Sequence, residues 1–268
     1  MDYEAAFEIE HAVTSGPCGA NLMWRLEENI LYIEGRGEMY DHNFLPWNNG
    51  ILPDLKRVVI ASGCTDICDY AFEYCVMEEI EIPATVKSIG EACFPEGKSH
   101  KRINVNPSNP RYASKDGFLI EKESQTLLWC PCGKKGRVTI PSGIIRIADC
   151  ACSICEEITE VEIPLGVEEI GDQAFLGCEK LEKVSLPEGL AIIDSSAFAM
   201  CVKLRTVLIP DSLKYIGIGA FDGCTNLTSL VIPGGVEKIE WDAFCGIPHI
   251  IYHGSAQSDD NWGALSRN

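Results

Sequence analysis

From residue 158 onward, apolar and polar positions recur in one fixed order. Each unit, starting at Ile158, Leu181, Leu204 or Leu227, approximates LxxVxIPxxVxxIGxxAFxxCxx, a 23-residue period. The prolines Pro164, Pro187, Pro210 and Pro233 keep that spacing, as do the pairs Ala174-Phe175, Ala197-Phe198, Ala220-Phe221 and Ala243-Phe244. Val-x-Ile alternates with period two and predicts a short strand with one inward face. Proline ends that strand because it cannot donate to a ladder. Val-x-x-Ile-Gly then leads into a turn, where glycine permits a positive φ. Ala-Phe-x-x-Cys fits one tight helical turn, since positions four apart share a helix face. A single unit cannot bury its apolar face, so the units must stack until like positions form columns through a continuous core. The predicted fold class is therefore an α/β repeat solenoid: a right-handed coil of short parallel strands and short helical turns, closed by β-rich caps.

Looser copies begin at Leu55, Met77 and Lys135. The unit from His100 to Lys134 is stretched to 35 residues. Within it, Phe118-Leu119-Ile120 and Leu127-Leu128-Trp129, separated by the polar segment EKESQT, read as a hairpin projecting from the stack. The chain divides into a disordered or leader-proximal segment 1–15, an N-terminal β cap 16–54, repeats over 55–249 with the hairpin insertion at about 106–134, and a C-terminal cap 250–268. Leu22–Leu26 and Ile30–Ile33 are the strand-like pieces of the first cap. Caps are required because each end of a solenoid otherwise exposes its core.

Charge narrows the function. Forty acidic against 22 basic residues give a net charge of −18, which repels nucleic acid and anionic lipid. No apolar run approaches the ~18 residues of a membrane-spanning helix. The start, MDYEAAFEIEHAV, lacks the charged-then-apolar order of a signal peptide, which suits either a protein kept inside the cell or a chain without its leader.

Of the fourteen cysteines, Cys75, Cys155, Cys178, Cys201 and Cys224 share one repeat position. Cys93, Cys152 and Cys64 replace the Ala, Phe and Val of their units. These read as core thiols, since free cysteine packs as a small hydrophobe. A metal site built from Cys130, Cys132, Cys150, Cys152 and Cys155 is a weak candidate: four thiolates could surround zinc, but the spacing is not paired CxxC. Cys18 belongs to no repeat position and could be a local disulfide partner or a buried thiol.

Catalytic constellations are missing from the pattern. The five histidines show no metal-ligand spacing, and His249 and His253 flank a strand-like segment. Gly217-Ile218-Gly219 is half of a dinucleotide fingerprint without a βαβ unit around it. The reading is a non-enzyme without cofactor.

Binding is expected on the outward side of the strand ladder. One outward column is Arg57, Glu79, Arg102, Arg137, Glu160, Lys183, Thr206 and Ser229. The next is Val59, Glu81, Asn104, Thr139, Glu162, Ser185, Leu208 and Val231. Both are charged in the middle and turn neutral and apolar toward Thr206, Leu208 and Val231. This end is a candidate contact patch, against β-propensity at exposed strand positions as the plain alternative. Trp129 on the hairpin is a second candidate.

The IPxxVxxIGxxAFxxC unit resembles that of the BspA-type leucine-rich repeat family of bacterial and protist surface proteins. NPRYASKDGFL, Asn109 to Leu119, is similar to that family's NPxYxSxDGxL interruption. The segment Cys18 to Asp41 with Pro46-Trp47, and the ending Ile251 to Gly254 with Trp262, look like its two caps. The resemblance covers nearly the whole chain. It implies a non-catalytic adhesion or protein-protein binding module at the cell surface, with a protein or surface glycan as partner; the charge and the apolar runs speak against nucleic acid and membrane insertion. A monomer is expected. The alternative is a cytoplasmic leucine-rich-repeat scaffold, which many core thiols would suit.

Overall fold

The computed structural model describes residues 14–45, 47, 54–73, 75–94, 100–256 and 261–265. The expected segment 1–15 lies almost wholly outside these residues, as does Pro46. The chain winds as a parallel β-solenoid. Two strand ladders run along it, where the sequence pattern predicted one.

The first ladder is built from the Val-x-Ile positions. Its N-terminal part joins Ser15–Gly19, Leu22–Glu27, Ile30–Gly35, Leu55–Ile60, Met77–Ile82 and Arg102–Val105. It resumes with Gly136–Thr139, Ile158–Glu162, Lys183–Ser185 and Thr206–Val207, and again with Leu230–Ile232 and Ile250–Tyr252. The first two pairings are antiparallel, which lets the N-terminal hairpins fold back as a cap. Every later pairing in this ladder is parallel, and like residues meet: Leu31, Val58, Ile80 and Ile103 in one column, Val138, Val161, Val184 and Val207 in another.

The second ladder comes from the residues ahead of and including the Ile of Val-x-x-Ile-Gly. Two-residue strands place Ile147, Ile170, Ile193, Ile216 and Ile239 in register. A strand this short is no feature of a periodicity scan, and it holds only because each residue is repeated one coil away. The insertion extends this ladder rather than projecting from the body. Tyr112–Lys115, Phe118–Glu121 and Thr126–Trp129 form an antiparallel meander, and Leu127 pairs in parallel with Ile147. Asn109 anchors the meander: its buried side-chain amide donates to Pro83 O and Val86 O at 2.9 Å each, and its Oδ1 accepts from the Arg111 and Tyr112 amides.

The expected helical turns are absent, and the fold class is corrected accordingly. Helix among the described residues amounts to short 3-10 pieces such as His42–Phe44 and Asn261–Gly263, not helical turns in the repeats. The reason lies in where the Phe amide of Ala-Phe-x-x-Cys donates. Phe175 N bonds Ala197 O, Phe198 N bonds Ala220 O and Phe221 N bonds Ala243 O, each at 2.8 Å and each on the next coil. Cys150, Gln173, Ser196, Gly219 and Asp242, one repeat position, all adopt φ between 51° and 58°. That left-handed residue breaks the helical path and aims the following amides at the neighbour. The third side of each coil is thus a hydrogen-bonded column of turns.

Aromatic rings fill that side. Phe175, Phe198, Phe221 and Phe244 stack at centroid spacings of 5.2, 5.4 and 6.1 Å. Trp262 closes the column edge-on to Phe244 at 6.5 Å, and its carbonyl accepts from the Phe244 amide. At the other end Trp47 stacks on Phe72 at 6.0 Å, meets Trp24 edge-on and donates from Nε1 to Ala71 O at 2.7 Å. Each cap therefore covers a phenyl face with indole. The core forms two clusters that meet at the insertion: Tyr112 and Leu119 belong to the N-terminal one, Phe118 and Leu127 to the other.

The repeat glycines Gly90, Gly171 and Gly217 do not supply a positive φ, contrary to expectation. Their role is space. A Cβ on Gly217 would lie 2.4 Å from the Ser195 amide nitrogen, and one on Gly90 2.3 Å from that of Asp69. Gly217→Ala is expected to push adjacent coils apart and cost about 1–3 kcal/mol, as over-packing does. The urea midpoint checks this, and an unchanged midpoint would show that the coils separate freely at this point.

Candidate functional site

The first ladder presents its intervening residues to solvent, because successive strand side chains alternate faces. Register sets charges of opposite sign beside each other. Arg57 pairs with Glu81 at 3.0 Å, Arg102 with Glu79, Arg137 with Glu162 at 2.8 Å, and Lys183 with Glu160 at 3.0 Å. Hydrogen bonds from Lys183 and Arg137 hold the Glu160 and Glu162 carboxyls below their ordinary range. All four pairs are largely exposed, so they contribute little stability. What they do is satisfy the charges of the mid-ladder within the molecule.

The ladder changes character beyond Lys183. Its strands shorten from five residues to three and then two. Among the described residues no strand pairing connects Thr206–Val207 to Leu230–Ile232. At this lapse Thr206 is exposed, Leu208 is 78% exposed and Val231 is 52% exposed. Val231 is in register with Ile251, which is half-buried and continues the apolar strip into the C-terminal cap. Sequence reasoning missed Ile251 because it lies 20 positions after Val231 rather than 23. The strand-like run Ile250-Ile251-Tyr252 between His249 and His253 was the available signal.

Trp129 does not join this strip. It is half-buried against the N-terminal core cluster, 4.4 Å from the His100 ring and 5.4 Å from Phe94. His100 itself is 1% exposed, and neither ring nitrogen has a side-chain hydrogen-bond partner among the described residues. Burial pushes its imidazole down to about 3, against a weaker upward pull from the Arg102 main chain.

The candidate metal residues separate into four and one. Cys130, Cys132, Cys152 and Cys155 are buried and converge, whereas Cys150 sits exposed at a left-handed turn position. Among the described residues no group of three or more His, Cys, Asp or Glu side chains is arranged to hold a metal ion. The cysteines are free thiols, Cys18 included, whose burial and nearby Cys64 push it up to about 12. No helix among the described residues is long and apolar enough to cross a membrane.

The BspA type leucine-rich repeat region model matches six copies over residues 52–121 and 128–251. No curated protein matches the chain. Solved structures do. A leucine-rich cell surface protein of Faecalibacterium prausnitzii aligns with a TM-score of 0.63 at 22% identity, over 94% of this chain and 97% of that one. The pneumococcal vaccine antigen PcpA aligns with a TM-score of 0.59 at 18% identity, over 90% of this chain and 88% of that one. A leucine-rich repeat protein of Bacteroides ovatus gives 0.50 at 22% identity, over 87% and 70%. At these identities the structures share the fold, while the repeat model matches well over half of the sequence. The chain belongs to the BspA-type leucine-rich repeat family.

Proposed function

We propose that this chain is a non-catalytic binding module of a bacterial cell-surface type, and that it holds a protein or surface glycan through the C-terminal end of its first strand ladder. The observation that carries this reading is the change along one face: charges pair with each other up to Lys183, and apolar side chains stand unpaired with charge from Leu208 to Ile251. Apolar side chains exposed on one solvent face favour a partner, because covering them removes apolar area from water. The rows of paired charge tune which partners approach and contribute little to affinity.

The test compares capture from host and bacterial surface extracts by the unaltered chain, by Leu208→Lys/Val231→Lys and by the mid-ladder control Arg137→Ala/Lys183→Ala. Two buried charges at an interface centre should weaken capture about tenfold or more, with the control near the original level and all three proteins equally folded by circular dichroism. Equal capture by the Lys/Lys variant would reject the patch. A cytoplasmic scaffold is the second reading, favoured by the free thiols, which suit a reducing compartment.

A further inference from the structure

Seven buried thiols run through the body from the insertion toward the C-terminus. Cys178, Cys201 and Cys224 behave as core residues: each Sγ donates to a main-chain carbonyl on an earlier coil, Cys152 O, Phe175 O and Phe198 O, at 3.2 Å. Cys178 and Cys201 also touch, but they share one repeat position and point the same way, which disfavours a bond between them.

The other four are arranged differently. Cys152 stands where later units carry phenylalanine. Cys130 N donates to Ala151 O at 2.6 Å, and Cys132 Sγ donates to Ser153 O at 3.4 Å, so both residues are seated on the coil that follows. The Cys130 thiol contacts those of Cys152 and Cys155, and Cys155 also contacts Cys132. The contact order is 152, 130, 155, 132. Each neighbouring pair in that order takes one sulfur from the insertion and one from the next coil. The outer pairs, 130 with 152 and 132 with 155, use all four.

We propose that these four cysteines are an oxidisable centre, in which peroxide forms disulfides that fasten the insertion to the coil that follows it, within the C-terminal core cluster. Cys130 is the attacking sulfur. Burial is the largest influence and raises it, while hydrogen bonds from Cys152 and Cys155 and the Lys134 charge together bring it below its ordinary value. The Cys130 sulfur attacks one peroxide oxygen, the O–O bond breaks, and the departing hydroxide takes a proton to become water. The resulting sulfenic acid is attacked by the Cys152 or Cys155 sulfur. The S–S bond forms, the S–O bond breaks, and the hydroxyl leaves as water with the second thiol's proton. Two thiols are oxidised and one peroxide is reduced to two waters. Burial of all four sulfurs selects a small uncharged oxidant over a bulky disulfide.

The native full-length chain is treated with hydrogen peroxide, alkylated after denaturation and digested with trypsin without reduction. The expected product links peptide 123–134 to peptide 147–180, with fragmentation placing the bonds on Cys130, Cys132, Cys152 and Cys155. The oxidised protein should melt about 5 °C or more higher, and a dithiol should reverse both changes. Cys130→Ser/Cys132→Ser should lose the link, and Cys178→Ser should keep it. Full alkylation of these four thiols after peroxide, oxidation confined to exposed Cys150, or a bound equivalent of zinc in place of the link would overturn the proposal.

Discussion

Phe198→Ala is expected to cost about 3–5 kcal/mol of stability, the range for deleting a fully buried aromatic ring. Phe198 is inaccessible to solvent and lies between two rings: Phe175 at 5.2 Å with planes 2° apart, and Phe221 at 5.4 Å with planes 14° apart. Stacked pairs add to area burial, and both pairs are lost together. The hydrogen bonds around the ring are main-chain bonds between coils, so the coils cannot readily collapse into the hole. Against a total stability of about 5–15 kcal/mol the loss is large. In a solenoid each coil is held only by its neighbours, so the damage should first appear as separate unfolding of the coils beyond Phe198. Urea unfolding followed by Trp262 and Trp47 environments would show it. Leu208→Ala, on the exposed face, should stay within about 0.5 kcal/mol. A loss below about 1 kcal/mol for Phe198→Ala would mean that the ring column is not what holds the third side together.

Acid should weaken the protein through His100. Its folded-state value near 3 lies below the ordinary 6.5 of the unfolded chain. Between those limits the unfolded chain binds a proton that the folded one does not, so stability falls as pH drops and is fully present only above about 6.5. The slope is about 1.4 kcal/mol per pH unit, or roughly 3 kcal/mol lost by pH 4.5. Phe94 and Trp129 pack on the ring and leave the charged form no solvation. His100→Leu should flatten that slope. The lowered carboxyls of Asp41, Glu121, Glu160 and Glu162 work in the same direction at lower pH, and the substitution leaves them untouched. Parallel pH profiles for the two proteins would show that His100 is hydrated in solution.

The two readings of Trp129 show where local pattern runs out. As one of three apolar residues after a polar loop it suggested an exposed position on a projecting hairpin. In the folded chain it packs on the N-terminal core cluster, because the meander pairs with Ile147 and turns its face onto His100 and Phe94. Nothing within a few residues of Trp129 encodes that packing. The metal candidate fared similarly: five cysteines within 26 positions looked like one group, and backbone geometry at Cys150 removed one of them.

By itself the sequence determined the period, the identity of the core columns, the first strand ladder and the need for caps. Those follow from repetition, since a residue type recurring at a fixed interval must bury the same face in every coil. It also placed Leu208 and Val231 on the outer face, because strand alternation is a local property. Only the tertiary structure decided that Ala-Phe-x-x-Cys bonds sideways to its neighbour instead of closing a helical turn. Only it showed that the repeat glycine makes room for an adjacent backbone, and that two-residue strands form a second ladder. In each case the competing choices are near equal within one unit, and the hydrogen bonds and contacts that separate them exist only once the next coil is in place.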